Sequence, residues 1–462
     1  MLDPTTVYEA TAVFPDASEA AAKQYYLGKS LKDVQAPAVV IDAAVARRNC
    51  QLMLKTAAEL GLDFRAHVKT HKTIQLARLQ VGDTPHIKLV VSTVAEAESL
   101  LPWLLESKAS GKKVDILYGL PVAPSAVPRL ARIAKLLGEG SVGLFVDNAD
   151  HVKVLEASHW PYGKTPVFVK VDLGGHRAGA AAGTSQMKDL ALALADAKRV
   201  HLRGFYAYWN DSYGVNSPEE VLQFLTKELQ GLESTAQSFL SSVDQDQTKD
   251  QPLILSLGAT PTATAIQNLE NGSPVARACK SLIEKIKESY ILEIHAGVYT
   301  LLDMQQLATR ARPTHVANAS DTRLSFADLG LKILAEVASV YNEREEPEAL
   351  IAAGSIVLGR EPCKSYPGWG VISNWPTTTS QVYDPEDDRA GWTVDRISQE
   401  HGVLRWQGSK ENFRPLRLGE KLLIWPNHAC MAGPNFAFYL IVDSDLAKPD
   451  VIVDVWTRCR GW

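Results

Sequence analysis

Residues 64 to 72 read Phe-Arg-Ala-His-Val-Lys-Thr-His-Lys, an apolar-leaning strand pattern that delivers Lys69 where the chain turns into a helix. A lysine at the C-terminal mouth of a buried strand is where a barrel enzyme would hold an aldehyde cofactor as a Schiff base. Taken alone, the run also reads as a basic surface segment, because most lysines are solvated. Leu257-Gly258-Ala259-Thr260-Pro261-Thr262 offers small side chains and backbone N–H donors at a second strand-to-helix turn. That suits a phosphate, although such a turn can be simple punctuation. Arg177 follows a third strand end in Asp172-Leu173-Gly174-Gly175-His176-Arg177. Its forked donors suit a planar anion, with Asp172 as the alternative, structural partner. In His428-Ala429-Cys430, a strand would point imidazole and thiolate to one face, and nitrogen plus sulfur suits zinc; out of context the pattern is nonspecific.

These groups need a frame to bring them together. Short apolar runs at 38–42, 64–68, 87–92, 114–118, 142–147, 166–172, 201–208, 253–257 and 290–295 predict nine strands. Helical stretches at 43–60, 94–105, 123–138, 184–198 and 218–241 separate most of them, the alternation that gives parallel βα units. A closed (β/α)8 barrel takes eight strands, so one belongs elsewhere. Beyond about residue 310 the texture changes to short β-type runs broken by Gly, Pro, Asn and charged turns, as in ALIAAGSIVLG and FAFYLIVD. This predicts an antiparallel β domain. The expected fold class is therefore α/β plus β: a (β/α)8 barrel over 43–309 and a β domain over 310–462, with 1–42 as an N-terminal segment. The polar stretches 241–251 and 377–391 read as surface loops.

Composition narrows the function. A length of 462 residues predicts two or three domains at about 150 residues each, and two is the natural count. With 46% hydrophobic residues, 22% charged residues and a formal charge of −5, neither disorder nor a nucleic-acid surface is indicated. No window approaches the roughly 18–20 apolar residues of a membrane span, and the first twenty residues lack a basic flank and an apolar signal core. A cytoplasmic protein without a membrane partner is expected. The five cysteines are odd in number and scattered, which argues against a disulfide framework and leaves four of them as inert thiols.

Read together, PAVVIDAAVARRNCQ, VKTHKT, KVDLGGHRAG at 170–179, LRGFYAYWNDSYG at 202–214, LSLGATPT at 255–262, LEIHAGVY at 292–299 and PNHACMAGPN at 426–435 form an ordered series. In order and separation it resembles the D-serine dehydratase family, in particular its fungal-type members, close kin of the D-threonine aldolases. The resemblance runs from about Pro37 to Trp462. It implies a pyridoxal 5'-phosphate enzyme on an alanine-racemase-like barrel with a second β domain, which the strand at 38–42 would join. It makes Lys69 the Schiff-base lysine and Gly258 and Thr260 the phosphate turn, backed by Ser256, Ala259 and Thr262. Tyr206 and Tyr213 would lie against the cofactor, and His67 shares the face of Lys69 by strand alternation. Arg177 would hold the cofactor phenolate, its ring nitrogen or the substrate carboxylate. His428 and Cys430 would bind zinc, leaving positions open for water and substrate, as in a catalytic site. Glu293, His295, Tyr299 and Asp303 match a further block, with no role assigned. The implied reaction is dehydration of a β-hydroxy D-amino acid to a 2-oxo acid and ammonia, with aldol cleavage as the alternative branch. A noncatalytic pyridoxal-phosphate carrier is the alternative of another class. By analogy the protein is a head-to-tail homodimer.

One departure from the family pattern matters. Where the family reads His-Ala-Gly-His-Ser-Tyr, this chain reads Tyr208-Trp209-Asn210-Asp211-Ser212-Tyr213. Two histidines that could act as acid or base are replaced by Tyr208 and Asp211, and Trp209 brings a large ring. Tyr208 and Asp211 thus join Lys69 as candidate catalytic residues. The change reads either as drift in a loop beside the site or as a changed substrate or reaction.

Overall fold

Parallel strands buried on both faces read as unbroken apolar runs, and the segment Val142–Val146 is buried at every position. The computed structural model of the protein describes residues 17–242, 252–314, 323–378, 382–384 and 386–462. Most of the expected 241–251 loop, and part of the 377–391 loop, therefore lie outside the described residues.

Strand β1 is Ala38–Asp42. It is followed by β2 (Asp63–His67), β3 (His86–Val91), β4 (Lys113–Pro121), β5 (Val142–Val146), β6 (Thr165–Asp172), the two-residue β7 (Ala180–Ala181), β8 (Val200–Ala207), β9 (Ile254–Leu257) and β10 (Ile291–Ala296). Strands β2 to β6 and β8 to β10 pair in parallel in chain order, and β10 returns to pair with β2, closing an eight-stranded barrel. β7 adds to β6 beside this ring. Helices alternate with the strands; those at Ile74–Val81, Ala149–Ala157 and Pro274–Lys287 go beyond the five expected stretches.

β1 lies in the other sheet, antiparallel to β11 (Leu331–Tyr341) and parallel to β17 (Phe438–Val442). That sheet also holds β12 (Glu348–Ile351), β13 (Gly370–Ser373), β14 (Gly391–Ile397), β15 (Gly402–Gln407), β16 (Lys421–Pro426) and β18 (Asp454–Thr457). Strands β11 to β16 close on themselves through the β11–β12 pairing, and every pairing in this sheet except β1–β17 is antiparallel. Among the described residues no helix is long and apolar enough to cross a membrane.

The lower part of the barrel interior is polar. Arg65 on β2 is fully buried. Its guanidinium donates to Glu293 on β10 at 2.7 and 3.1 Å and to Asp115 on β4 at 2.9 and 3.0 Å. Lys88 on β3 adds a contact to Glu293 at 3.0 Å. Burial alone would raise the Glu293 carboxyl, but Arg65 and Lys88 hold it well below the usual carboxylate range. Breaking a buried pair by removing one partner costs about 3–5 kcal/mol. Urea unfolding at pH 7 of Glu293→Gln should show a loss of that size. Because the folded pKa of Glu293 is depressed, its contribution is complete above the unfolded value of about 4.3 and fades as pH falls through the folded value. The stability gap between wild type and variant should therefore narrow below about pH 4; a gap that widens with acidity would contradict this account.

Candidate active site

β2 ends at His67, so Lys69 stands in the turn beyond the strand rather than at its last residue. That turn is held from several sides. Lys72 N–H donates to Val68 O at 2.8 Å, with Lys72 at a left-handed φ of 54°. The Lys72 carbonyl accepts from Cys459 N–H at 2.9 Å, and its ammonium pairs with Glu96 at 2.7 Å. His71 Nδ1 accepts from Thr73 N–H, which leaves Nε2–H to donate to Gln80 Oε1 at 2.9 Å. Burial pushes His71 down to about 4, so this brace is neutral.

Above the turn opens a cavity of about 540 Å³. Lys69, His67, Arg177, Tyr206, Tyr208, Tyr213, Gly258, Ala259, Thr260, His428 and Cys430 all line it. Three of the expected residues do not. Thr262 is buried behind the turn, its Oγ1 accepting from Ala259 N–H at 3.0 Å. Ser256 is buried beneath the floor, and Asp211 is exposed, accepting from Asn210 Nδ2 at 3.1 Å. Trp209 also turns away from the cavity, its ring packed on Phe224 at 4.6 Å between centroids.

The floor is an aromatic stack, Tyr206 on His295 at 3.9 Å with 8° between planes. Ser256 gives its one hydroxyl proton to Glu293 at 2.8 Å, so the 3.0 Å contact to His295 must be donated by Nδ1–H. His295 Nε2 is then a bare acceptor, buried without a partner among the described residues. Burial, helped by Lys170, pushes His295 well below its ordinary value and keeps it neutral. Lys170 sits 4.3 Å from the Tyr206 ring centroid, and burial, then the charge of Arg177, lower it to about 7.

Arg177 forms one wall. Asp172 is not its partner: Asp172 Oδ1 accepts from Gly174 and His176 N–H at 2.9 and 3.1 Å, and Oδ2 faces His176 Nδ1 at 3.2 Å. The Arg177 guanidinium instead stacks on Tyr208 at 3.9 Å, and Lys69 Nζ lies 5.7 Å from the same ring.

His428 and Cys430 do converge, but not on a strand. β16 stops at Pro426, and the Asn427 side chain bonds the Glu361 and Gly368 carbonyls. His428 then precedes the short helix Ala429–Ala432, whose first N–H donates to Asp303 at 2.8 Å. The strand alternation expected for this pair is thus replaced by a helical start. Thr70 Oγ1 lies 3.1 Å from Cys430 Sγ. Burial would raise the Cys430 thiol, but its hydrogen bond and coulombic contact with His428 outweigh that and lower it. Burial opposes, yet the same pairing raises His428 to about 9. His428 Nδ1 is buried with no partner among the described residues. Cys50, Cys279, Cys363 and Cys459 are buried, form no disulfide and do not line the cavity.

Several lining residues were missed or left without a role. His295 lies two positions from Glu293 on β10, so strand alternation near a strand end could have placed it in the mouth. Gln305, Pro362, Lys364 and Met431 reach the cavity from after the barrel or from the β domain, and no local pattern marks them.

Comparison with known proteins agrees with the fold. The N-terminal domain model of alanine racemase matches residues 41–274, and a serine dehydratase domain model matches 330–442. The chain is 36% identical to D-serine dehydratase of Schizosaccharomyces pombe over 447 residues, 95% of each chain. It is 32% identical to D-serine dehydratase of Saccharomyces cerevisiae over 455 residues, 95% of this chain and 98% of that one. Among solved structures, D-threo-3-hydroxyaspartate dehydratase from Delftia sp. HT23 superposes with a TM-score of 0.69 at 25% identity, covering 94% of this chain and 100% of that one.

Gly258 has φ of 141°, and a Cβ there would sit 2.5 Å from the His295 carbonyl oxygen. Strain of this kind costs of order 1–3 kcal/mol. Gly258→Ala should lose about that much stability in urea and should weaken anion binding in the cavity; a variant as stable as wild type would show that the turn yields freely.

Proposed function

The chain belongs to the D-serine dehydratase family on the alanine-racemase-like fold, and from this premise we propose that it is a lyase of β-hydroxy D-amino acids. D-serine is the favoured substrate, and β-elimination to a 2-oxo acid and ammonia the favoured reaction. The observation that carries this reading is the convergence of Lys69, the Gly258 turn, Arg177 and the His428–Cys430 pair on one cavity.

The cavity fits pyridoxal 5'-phosphate: it joins an amine, a small-residue turn, an aromatic floor and a bare buried acceptor at His295 Nε2. Lys69 would hold the cofactor, Gly258, Ala259 and Thr260 would receive its phosphate, and Tyr206, Tyr213 and His67 would contact its remaining surface. When bound, it supplies an aldehyde for the lysine and an electron sink for charge at the substrate α-carbon. Lys69 Nζ would take the α-proton, and Arg177 would orient an anionic group.

The donor set of His428 and Cys430 suits Zn2+, which would supply a Lewis acid for the β-oxygen. Among the described residues no group of three or more His, Cys, Asp or Glu side chains could hold a metal, so two protein ligands would leave positions for water and substrate. An aldolase needs a base at the β-hydroxyl. Asp211, the candidate in this chain for that base, lies outside the cavity, which favours elimination. A mere cofactor carrier has no use for Lys364, His428, Cys430 and Met431 brought in from beyond the barrel.

We assign residues 43–309 to the cofactor barrel and 1–42 with 310–462 to the β domain. We place the enzyme in the cytoplasm as a homodimer. Met431 at the mouth and nearby Ile356 are 44% and 42% exposed, an apolar rim that a second copy would cover.

Borohydride reduction of the yellow holoprotein, followed by peptide mapping, should label Lys69, and Lys69→Ala should lose about 10²–10⁴-fold or more of D-serine turnover. Label at another lysine would sink the assignment. Metal analysis should find zinc, and chelation or Cys430→Ala should abolish turnover while leaving the visible absorbance and the melting temperature near wild type. Full activity in metal-free protein would remove the zinc role.

A further inference from the structure

Trp209 is outside the cavity, yet it touches the turn that carries Arg177. A Cβ at Gly175 would meet Trp209 Cδ1 at 3.6 Å and Asn210 Oδ1 at 2.7 Å; one at Gly174 would meet Trp209 Cζ2 at 3.8 Å. The two glycines therefore lie against the indole, with no room for a larger residue at Gly175 unless Asn210 moves. Gly174 is at φ of 115°; the turn is tied to Asp172 at its start and by the β7–β6 pairing at its end, and Leu173 packs beside Gly231, which leaves Gly174 to Arg177 to be seated by Trp209 and its neighbours. The indole also packs on Phe224 of the long helix Pro218–Leu240, and its buried Nε1 has no partner among the described residues, so packing alone fixes the ring. Next in the chain, Tyr208 supplies the ring on which the Arg177 guanidinium rests at 3.9 Å.

We infer that Trp209 is a positioning residue: with Tyr208 and Asn210 it seats the Gly174–Gly175 turn and so fixes Arg177 over the cavity. Arg177 is exposed and pairs with no carboxylate in the contacts described above, so its direction depends on this seat. An exposed cation over an aromatic ring is held weakly, too weakly to fix the guanidinium if the turn beneath is released. Trp209 would thus set the affinity of the cavity for the carboxylate of an amino acid, a role that rests on the cofactor and substrate reading above.

The test uses the holoenzyme. Trp209→Ala should raise the apparent dissociation constant for D-alanine, read from the visible absorbance, and the KM for D-serine, each by about 10-fold, with kcat changed far less. Trp209→Phe, which keeps a ring under the turn, should restore most of the affinity. Ile283→Ala, a buried change in the helix Pro274–Lys287, should lower the melting temperature without moving either constant. Equal shifts in Trp209→Ala and Ile283→Ala would reduce Trp209 to a stability role and overturn the inference. Hydrogen exchange of amides 173–179 tests the seat without any ligand. It should quicken in Trp209→Ala but not in Ile283→Ala, and unchanged exchange overturns the inference even if the protein carries no chromophore. A colourless protein with quickened exchange supports the seat and sinks only the cofactor reading.

Discussion

The buried guanidinium of Arg65 is the contact on which the rest of the barrel depends. It spans Asp115 on β4 and Glu293 on β10, and through them ties three strands of the closed ring. An unpaired ion there would be prohibitive, so the network constrains the register of the strands that meet it. Glu293 also accepts from Ser256, which in turn accepts from His295, and His295 carries the Tyr206 ring on the cavity floor. One continuous chain of hydrogen bonds and ring contact thus runs from the core charge to the surface that would meet a ligand. Its consequence is a neutral His295 with one committed nitrogen and one free acceptor.

The second sheet solves a different problem. A barrel mouth alone offers side chains from strand ends and turns, and here these give Lys69, Arg177, Tyr208 and the Gly258 turn. Soft nitrogen and sulfur donors come from elsewhere. They arrive because β16 ends over the mouth and Asp303, from just beyond β10, accepts the first N–H of the helix that follows His428. Thr70, one residue after Lys69, reaches Cys430 directly. The two folding units therefore meet at the site itself, and the C-terminal segment repeats the connection where Cys459 N–H donates to the Lys72 carbonyl.

Much of this was legible in the residues. Buried parallel strands announce themselves as apolar runs, so the eight barrel strands were found within a few residues of their ends, and eleven proposed site residues line one cavity. Helices were harder: Ile74–Val81 and Ala149–Ala157 are only two turns long, too short for a strong amphipathic period. His428-x-Cys430 was read as strand because the apolar run ahead of it is one, whereas Asp303 and Asn427, distant or side-chain-mediated, start a helix there instead. Asp211 was read as a catalytic candidate, and Trp209 as a large ring beside the site, from their place in a motif. Packing on Phe224 and solvent exposure decided otherwise, and neither is visible along the chain. Lys364, Gln305 and Met431 depend on how the second unit sits and carry no local signal.

Charge is also sorted along the barrel axis. The described lining of the cavity includes the cations Lys69, Arg177 and Lys364 and no carboxylate, whereas Glu293 and Asp115 are held beneath the floor by Arg65 and Lys88. A neutral His295 and the face of Tyr206 separate the two layers. With its acids neutralised below, the mouth keeps an uncompensated positive field, and field in a low-dielectric cleft concentrates anions. A ligand carrying both a phosphate and a carboxylate is what such a cleft selects. The same sorting makes a cationic or zwitterion-only ligand a poor fit unless its carboxylate meets Arg177. The precision of that one side chain, seated on Tyr208 at the rim, is therefore where selectivity among amino acids would be decided.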